Sequence, residues 1–149
     1  MLCDGCTLCC KLLPVPWMNS AAGEQCSQCK AGVGCELWPG VPEQCAAFDC
    51  AYRTVTKASI NVRPDRCRAI FERLTDDLAI CTTAVVKGGE PVVTRAAMGQ
   101  IRHYMNHGVS VVVTSFHSAQ KRVYPATGVG FSAVVSQARK YVERHRDCC

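Results

Sequence analysis

The chain opens on Cys3-Asp4-Gly5-Cys6-Thr7-Leu8-Cys9-Cys10, three cysteines at steps of three with a fourth directly behind the last. Packing alone does not explain this run. A buried thiol behaves as a small apolar residue, and no ordinary core needs so many in one short stretch. Thiols at that spacing converge in a tight loop, most naturally around an ion that binds several thiolates. Outward from it the pattern continues as Cys26-x-x-Cys29, Cys35, Cys45 and Cys50. Nine of the thirteen cysteines therefore lie in the first fifty residues.

The surrounding sequence, residues 1–54, lacks long periodic patterns. Pro14, Pro16, Pro39 and Pro42, with Gly23, Gly32, Gly34 and Gly40, divide it into turns. Loops of this length seldom stay ordered unless something ties them down, and a metal would do so, because its binding free energy is also folding free energy. Trp17, Leu37, Trp38, Phe48 and Tyr52 are expected to form an apolar jacket, with short helices near Pro42 to Cys50.

Residues 55–149 change character. Pro64-Asp65 predicts a helix start, with Cys67, Ile70, Phe71 and Leu74 at helical spacing. Leu78 to Val86 predicts a buried strand ended by Gly88-Gly89. A second helix is predicted from Pro91 or Thr94 to Asn106, with an apolar stripe of Ala97, Ile101, Tyr104 and Met105 and Gly108 at its C-terminal cap. Val109 to Ser115 is the clearest strand, and Lys121 to Tyr124 predicts a short edge strand. A last helix is predicted to about Arg146, with Phe131, Val134, Val135, Ala138 and Val142 in register. The fold class is thus α+β: a loop-dominated, cysteine-rich metal-binding lobe (1–54) packed on a small sheet with about three helices (55–149), together one compact unit.

At 149 residues, 48% apolar and 19% charged, the chain is long enough to bury a core. Its net charge of +5 is mild. The densest basic run, Arg139-Lys140 to Arg146, alternates with Glu143 and Asp147 and reads as a solvated helix face, not a nucleic-acid stripe. No charged n-region with an apolar core precedes the cysteine run, and no stretch reaches the roughly 18–20 apolar residues of a membrane helix. A cytoplasmic location is therefore expected, without membrane association. Thiols stay reduced there, and cysteine clusters are more often metal sites than disulfide frameworks. The odd count of thirteen and the adjacency of Cys9 and Cys10 also weigh against a framework of disulfides.

The opening run resembles the signature of the YkgJ-like CxxCxxCC family of zinc- or iron-chelating proteins. Cys35-Glu-Leu-Trp38, Pro42-Glu-Gln-Cys45 and Cys45-Ala-Ala-Phe-Asp-Cys50 are similar to later segments of that family. Arg63-Pro64-Asp65-Arg66-Cys67 is similar to an element that follows the cluster in one branch. Trp38 stands where a tyrosine is usual, Val41 where an arginine commonly precedes the proline, and Gln28 where that branch has a histidine. The resemblance covers residues 3 to about 75 and implies metal binding by cysteine. The ligand set is then Cys3, Cys6, Cys9, Cys10, Cys26, Cys29, Cys35, Cys45 and Cys50, with Cys26 as the spare, because the broader family pattern manages without it.

Which metal is bound stays open at this level. Zinc takes closed tetrahedra of thiolates with pairs at C-x2-C spacing, so nine cysteines suffice for two sites. Eight thiolates on two zinc ions leave a net charge of about −4, which Lys11, Lys30 and Arg53 are placed in sequence to soften. An iron–sulfur cluster is the alternative: the steps from Cys3 to Cys9 are those of a bacterial ferredoxin, although the x3-Cys-Pro ending is missing. Copper(I) is a soft third choice. The expected function is zinc binding in a structural or storage role, the alternative an iron–sulfur redox protein, and the protein partner is unspecified.

The remaining candidates have plainer readings. Cys67 and Cys81 are expected to be buried thiols, and Cys148-Cys149 is given no role. His103 and His107 lie four apart but have no intervening Glu of an H-E-x-x-H motif, so a solvated helix end is expected. His117 lacks an evident Asp or nucleophile partner, and Gly88-Gly89 is not followed by the Lys-Ser or Lys-Thr of a phosphate loop. Catalysis is not expected.

Overall fold

The structure is a computed structural model that describes residues 5–37, 39–48, 50–54 and 62–144. It is α+β. Among the described residues there are six helices and three small sheets. The three helices expected after residue 54 are present, the first cut to one turn, and the others are short pieces of the cysteine-rich segment: α1 (Cys9–Leu12), α2 (Glu43–Ala47) where short helices were expected, and α3 (Ala51–Thr54), each five residues or shorter like α4 (Pro64–Cys67). Only α5 (Arg95–Asn106) and α6 (Phe131–Arg144) are full helices.

The main sheet has four strands: β3 (Ala69–Arg73), β4 (Leu78–Thr83), β7 (Ser110–Ser115) and β8 (Ser118–Tyr124), in the order β3-β4-β7-β8. β3 and β8 run antiparallel to their neighbours, whereas β4 and β7 are parallel, with α5 in the connection between them. Two-residue strands make the hairpins β1 (Cys29–Lys30) with β2 (Gly34–Cys35) and β5 (Val86–Lys87) with β6 (Glu90–Pro91).

Alternation along the strands divides the apolar residues between the two faces of the sheet. Ala79, Cys81, Val111 and Val113 point to one face and pack with Ala97 and Ile101 of α5. On the other face, Leu78 and Val112 receive Val134 of α6. Ile70, paired in register with Thr82, belongs to this second face, and there it joins Cys6, Leu8, Leu12 and Cys50 in one buried cluster. The cysteine-rich segment and α6 therefore share one side of the sheet, opposite α5.

The helix expected through Leu74 stops after one turn. Arg68 adopts a left-handed conformation (φ 60°) and its N–H closes on the Pro64 carbonyl at 2.8 Å, ending α4. Ile70 and Phe71 then enter β3, where pairing with β4 and burial on opposite faces outweigh the helical spacing. The strand expected from Leu78 to Val86 likewise divides. Buried Thr83 donates its hydroxyl to the Val92 carbonyl at 2.7 Å and accepts from Val85 N–H at 3.1 Å, turning the chain out of β4. Gly88 and Gly89, both at positive φ, then close the β5–β6 hairpin as a type I′ turn requires.

The α5 and β7 expectations hold. Thr94 caps α5 by accepting from Ala97 N–H, and Ala97, Ile101 and Tyr104 are buried. The edge strand expected at Lys121–Tyr124 is longer, beginning at Ser118. In α6, Val134 is buried, but Phe131 is 61% and Val142 56% exposed, so its apolar stripe is only partly covered. The expected jacket also changes. Trp17 is 64% exposed and Leu37 half-buried, Phe48 and Tyr52 pack on the Ile70 cluster, and Trp38 lies outside the described residues.

Candidate metal centre

Of the nine expected ligands, Cys3 lies outside the described residues. The other eight occur as free thiols. Cys9 and Cys10 open α1, and their sulfurs are 3.9 Å apart. Cys26 N–H donates to the Cys10 carbonyl at 2.8 Å and Cys29 N–H to the Cys26 carbonyl at 3.0 Å, folding the Cys26–Cys29 turn onto that helix. Cys29 and Cys35 are direct cross-strand partners in the β1–β2 hairpin. Cys45 sits in α2, and Cys50 immediately precedes α3.

Cys6, Cys9 and Cys50 line a small cavity of about 10 Å³, room for roughly one water-sized guest. Pro64 and Ile70 form its wall on the sheet side, and Arg53 also lines it. Arg53 donates to the Phe48 carbonyl at 2.7 Å, which fixes the turn that presents Cys50. Lys11 and Lys30, the other cations expected to soften the cluster, are exposed. The contribution of Pro64 and Ile70 has no signal in the cysteine-rich segment itself, because both belong to the sheet-forming part of the chain.

The thiols differ in acidity. The sulfur–sulfur hydrogen bond with Cys10 lowers the Cys9 thiol to about 7, with burial opposing and Arg53 helping. Cys10 is raised in return, first by that hydrogen bond and then by burial and the neighbouring Cys29. Burial raises Cys6, Cys29, Cys45 and Cys50, and charge on Cys9 would raise each further. Cys45 also feels Cys26 and Cys35. Charging one sulfur thus disfavours charging the next, unless a cation is shared between them.

Two sulfurs on one tetrahedral zinc stand about 3.8 Å apart, given Zn–S near 2.3 Å, and the Cys9–Cys10 separation is of that size. Among the described residues, however, no three Cys, His, Asp or Glu side chains converge closely enough to hold an ion as they lie.

Outside this region, Cys67 and Cys81 are fully buried in the α5-side core, as expected of structural thiols. Cys67 approaches the Ala69 carbonyl at 3.2 Å. His103 and His107 are both exposed at the end of α5, their rings 4.2 Å apart, and His107 Nδ1 lies 2.7 Å from the His103 carbonyl. Cys148 and Cys149 lie outside the described residues. Among the described residues no helix is long and apolar enough to cross a membrane. No family model, no curated protein and no solved structure matches this chain.

Proposed function

We propose that this protein binds zinc through the thiolates of its N-terminal segment, in a structural or storage role. The observation that carries the reading is that Cys6, Cys9 and Cys50, from both ends of the cysteine-rich segment, line one small cavity. The CxxCxxCC resemblance supports it from the sequence side. Zinc bound there would cross-link chain segments that have only a small apolar cluster to hold them, rooted in Leu8, Leu12 and Ile70. Cys10, Cys29, Cys35 and Cys45 are the further donors, with Cys26 N–H holding the second group against α1. Arg53 supplies positive charge beside Cys9, and Pro64 and Ile70 keep water from one side of the cavity.

Metal analysis and a visible spectrum on protein purified without oxygen test this. The expected result is a colourless protein with about two zinc per chain, losing ordered structure in a strong chelator. Stoichiometric iron with acid-labile sulfide and absorbance near roughly 400 nm would replace zinc by a cluster. Absence of any metal, with full stability, removes the reading.

A further inference from the structure

Ten cysteines among the described residues carry free thiols, and backbone geometry singles out one pair of them. Cys29 and Cys35 are direct cross-strand partners in the β1–β2 hairpin. Glu36 N–H donates to the Gln28 carbonyl at 2.8 Å, so the hydrogen-bonded rung lies just outside them and Cys29 with Cys35 form a non-hydrogen-bonded pair. The side chains of such a pair leave the same face, and its Cα atoms stand about 4.5 Å apart. Disulfides bridge Cα separations of roughly 4.4–6.8 Å, so this pair falls at the short end of the range. Cys9 and Cys10 have closer sulfurs, at 3.9 Å, but adjacent Cα atoms are only about 3.8 Å apart. Both also lie in α1, which a bond between them would distort. Cys67 and Cys81 are fully buried, out of reach of a dissolved oxidant. Cys10 hydrogen-bonds the Cys29 thiol and is its rival partner, but no strand register fixes those two.

We propose that Cys29 and Cys35 are a reversible dithiol–disulfide pair, closed across the hairpin by a small soluble disulfide such as glutathione disulfide. Cys35 is half-buried whereas Cys29 is 9% exposed, so the oxidant meets Cys35 first. The Cys35 thiolate attacks one sulfur of glutathione disulfide, forming a mixed disulfide and displacing one glutathione thiolate. Cys29 then attacks the Cys35 sulfur and displaces the second glutathione. Two electrons pass from the pair to the oxidant, and the two thiol protons end on the two glutathione molecules. The turn of the hairpin is anchored: a Cβ built on Gly5 would stand 2.5 Å from the Gly32 carbonyl oxygen. Closing a bond between the strands leaves that contact in place. Gly34, next to Cys35 at φ +131°, supplies the backbone freedom the closure needs. Bridges within reach of solvent are the ones readily reduced again. The pairing goes beyond the zinc reading and stands without it; where these sulfurs hold zinc, the closed bond removes two donors.

The test uses the full chain, purified reduced and without oxygen, with whatever metal it carries. It is equilibrated in glutathione buffers of rising glutathione disulfide content, quenched and alkylated, and its disulfides are mapped by mass spectrometry. Cys29–Cys35 should form first, at least about ten-fold more abundant than any other bond, and excess glutathione should reverse it. In Cys29→Ser, Cys35 should keep glutathione as a mixed disulfide; in Cys35→Ser, Cys29 should hold none. Guanidinium should abolish the preference, because an unfolded chain closes the shorter loop from Cys26 to Cys29 at least as readily. A first bond from Cys29 to Cys10, or between any other cysteines, overturns the pairing. So does a Cys29–Cys35 share that denaturant leaves unchanged. Zinc content, measured on the same samples, bears only on the function proposed above.

Discussion

The imidazole of His117, in the β7–β8 turn, occupies the space where a side chain on Gly23 would go: a Cβ built there stands 2.4 Å from its Cε1 and 2.6 Å from its Nε2. Gly23 is also at φ +88°, a conformation that an L side chain rarely adopts. One glycine thereby permits both a turn in the cysteine-rich segment and its contact with the sheet. Gly23→Ala is expected to destabilise the protein by about 2 kcal/mol, half from the backbone and half from the displaced ring. In a His117→Ala background the same change should cost only the backbone half, about 1 kcal/mol. Urea titrations of the four proteins supply the cycle, and strictly additive values would show that the ring moves aside freely.

Thr94 links two elements through one hydroxyl. Its Oγ1 accepts from Ala97 N–H at 3.2 Å, capping α5, and donates to the Cys67 carbonyl at 2.7 Å at the end of α4. Thr94→Val keeps the shape and removes both bonds, so a loss of about 2 kcal/mol is expected. Thr94→Ser should retain most of the stability. Equal chemical denaturation midpoints for the valine variant and the wild type would contradict this role.

Cys81 makes stability depend on pH at the alkaline end. Burial, with Cys67 nearby, pushes its thiol well above the ordinary value of 9.0, so the folded protein keeps a proton there that the unfolded chain gives up. The stabilisation is complete below the unfolded thiol's value and is lost as pH rises beyond it. Between about pH 9 and 10.5 the unfolding free energy should fall by up to about 1.4 kcal/mol per pH unit from this group. Cys81→Ala, less stable at neutral pH through the small void it leaves, should show a shallower alkaline slope than wild type. Parallel slopes for the two proteins would mean that Cys81 ionises freely in the fold.

Strong periodicity was readable where packing obeys it. The stripe Ala97, Ile101, Tyr104 announced α5, because that helix buries one regular set of side chains, and the valines Val111 to Val113 announced β7, because that strand is buried on both faces. From Cys67 to Leu74 the same kind of spacing pointed to a helix, and there long-range pairing decided otherwise: Ile70 and Phe71 gain partners in β4 and opposite faces to fill. No local signal announces that competition. At the candidate site the order of cysteines was plain, but their grouping was not. The two-residue strands β1 and β2 are too short to leave a pattern, and the small cavity beside Cys6, Cys9 and Cys50 takes its wall from Pro64 and Ile70.

The last helix shows the same limit and provides its own test. Phe131, Val134, Val135, Ala138 and Val142 share a periodic register, yet the sheet covers only part of that stripe. Val134 is fully buried against Leu78 and Val112, whereas Phe131 is 61% exposed. Area removed from water therefore assigns the stabilisation to Val134, although phenylalanine is the larger side chain. Val134→Ala should cost about 1–3 kcal/mol. Phe131→Ser, at a mostly solvated position, should fall within about 0.5 kcal/mol of wild type. Thermal and urea unfolding of the two variants separate these outcomes. A larger loss for Phe131→Ser than for Val134→Ala would place the sheet against the other side of the helix.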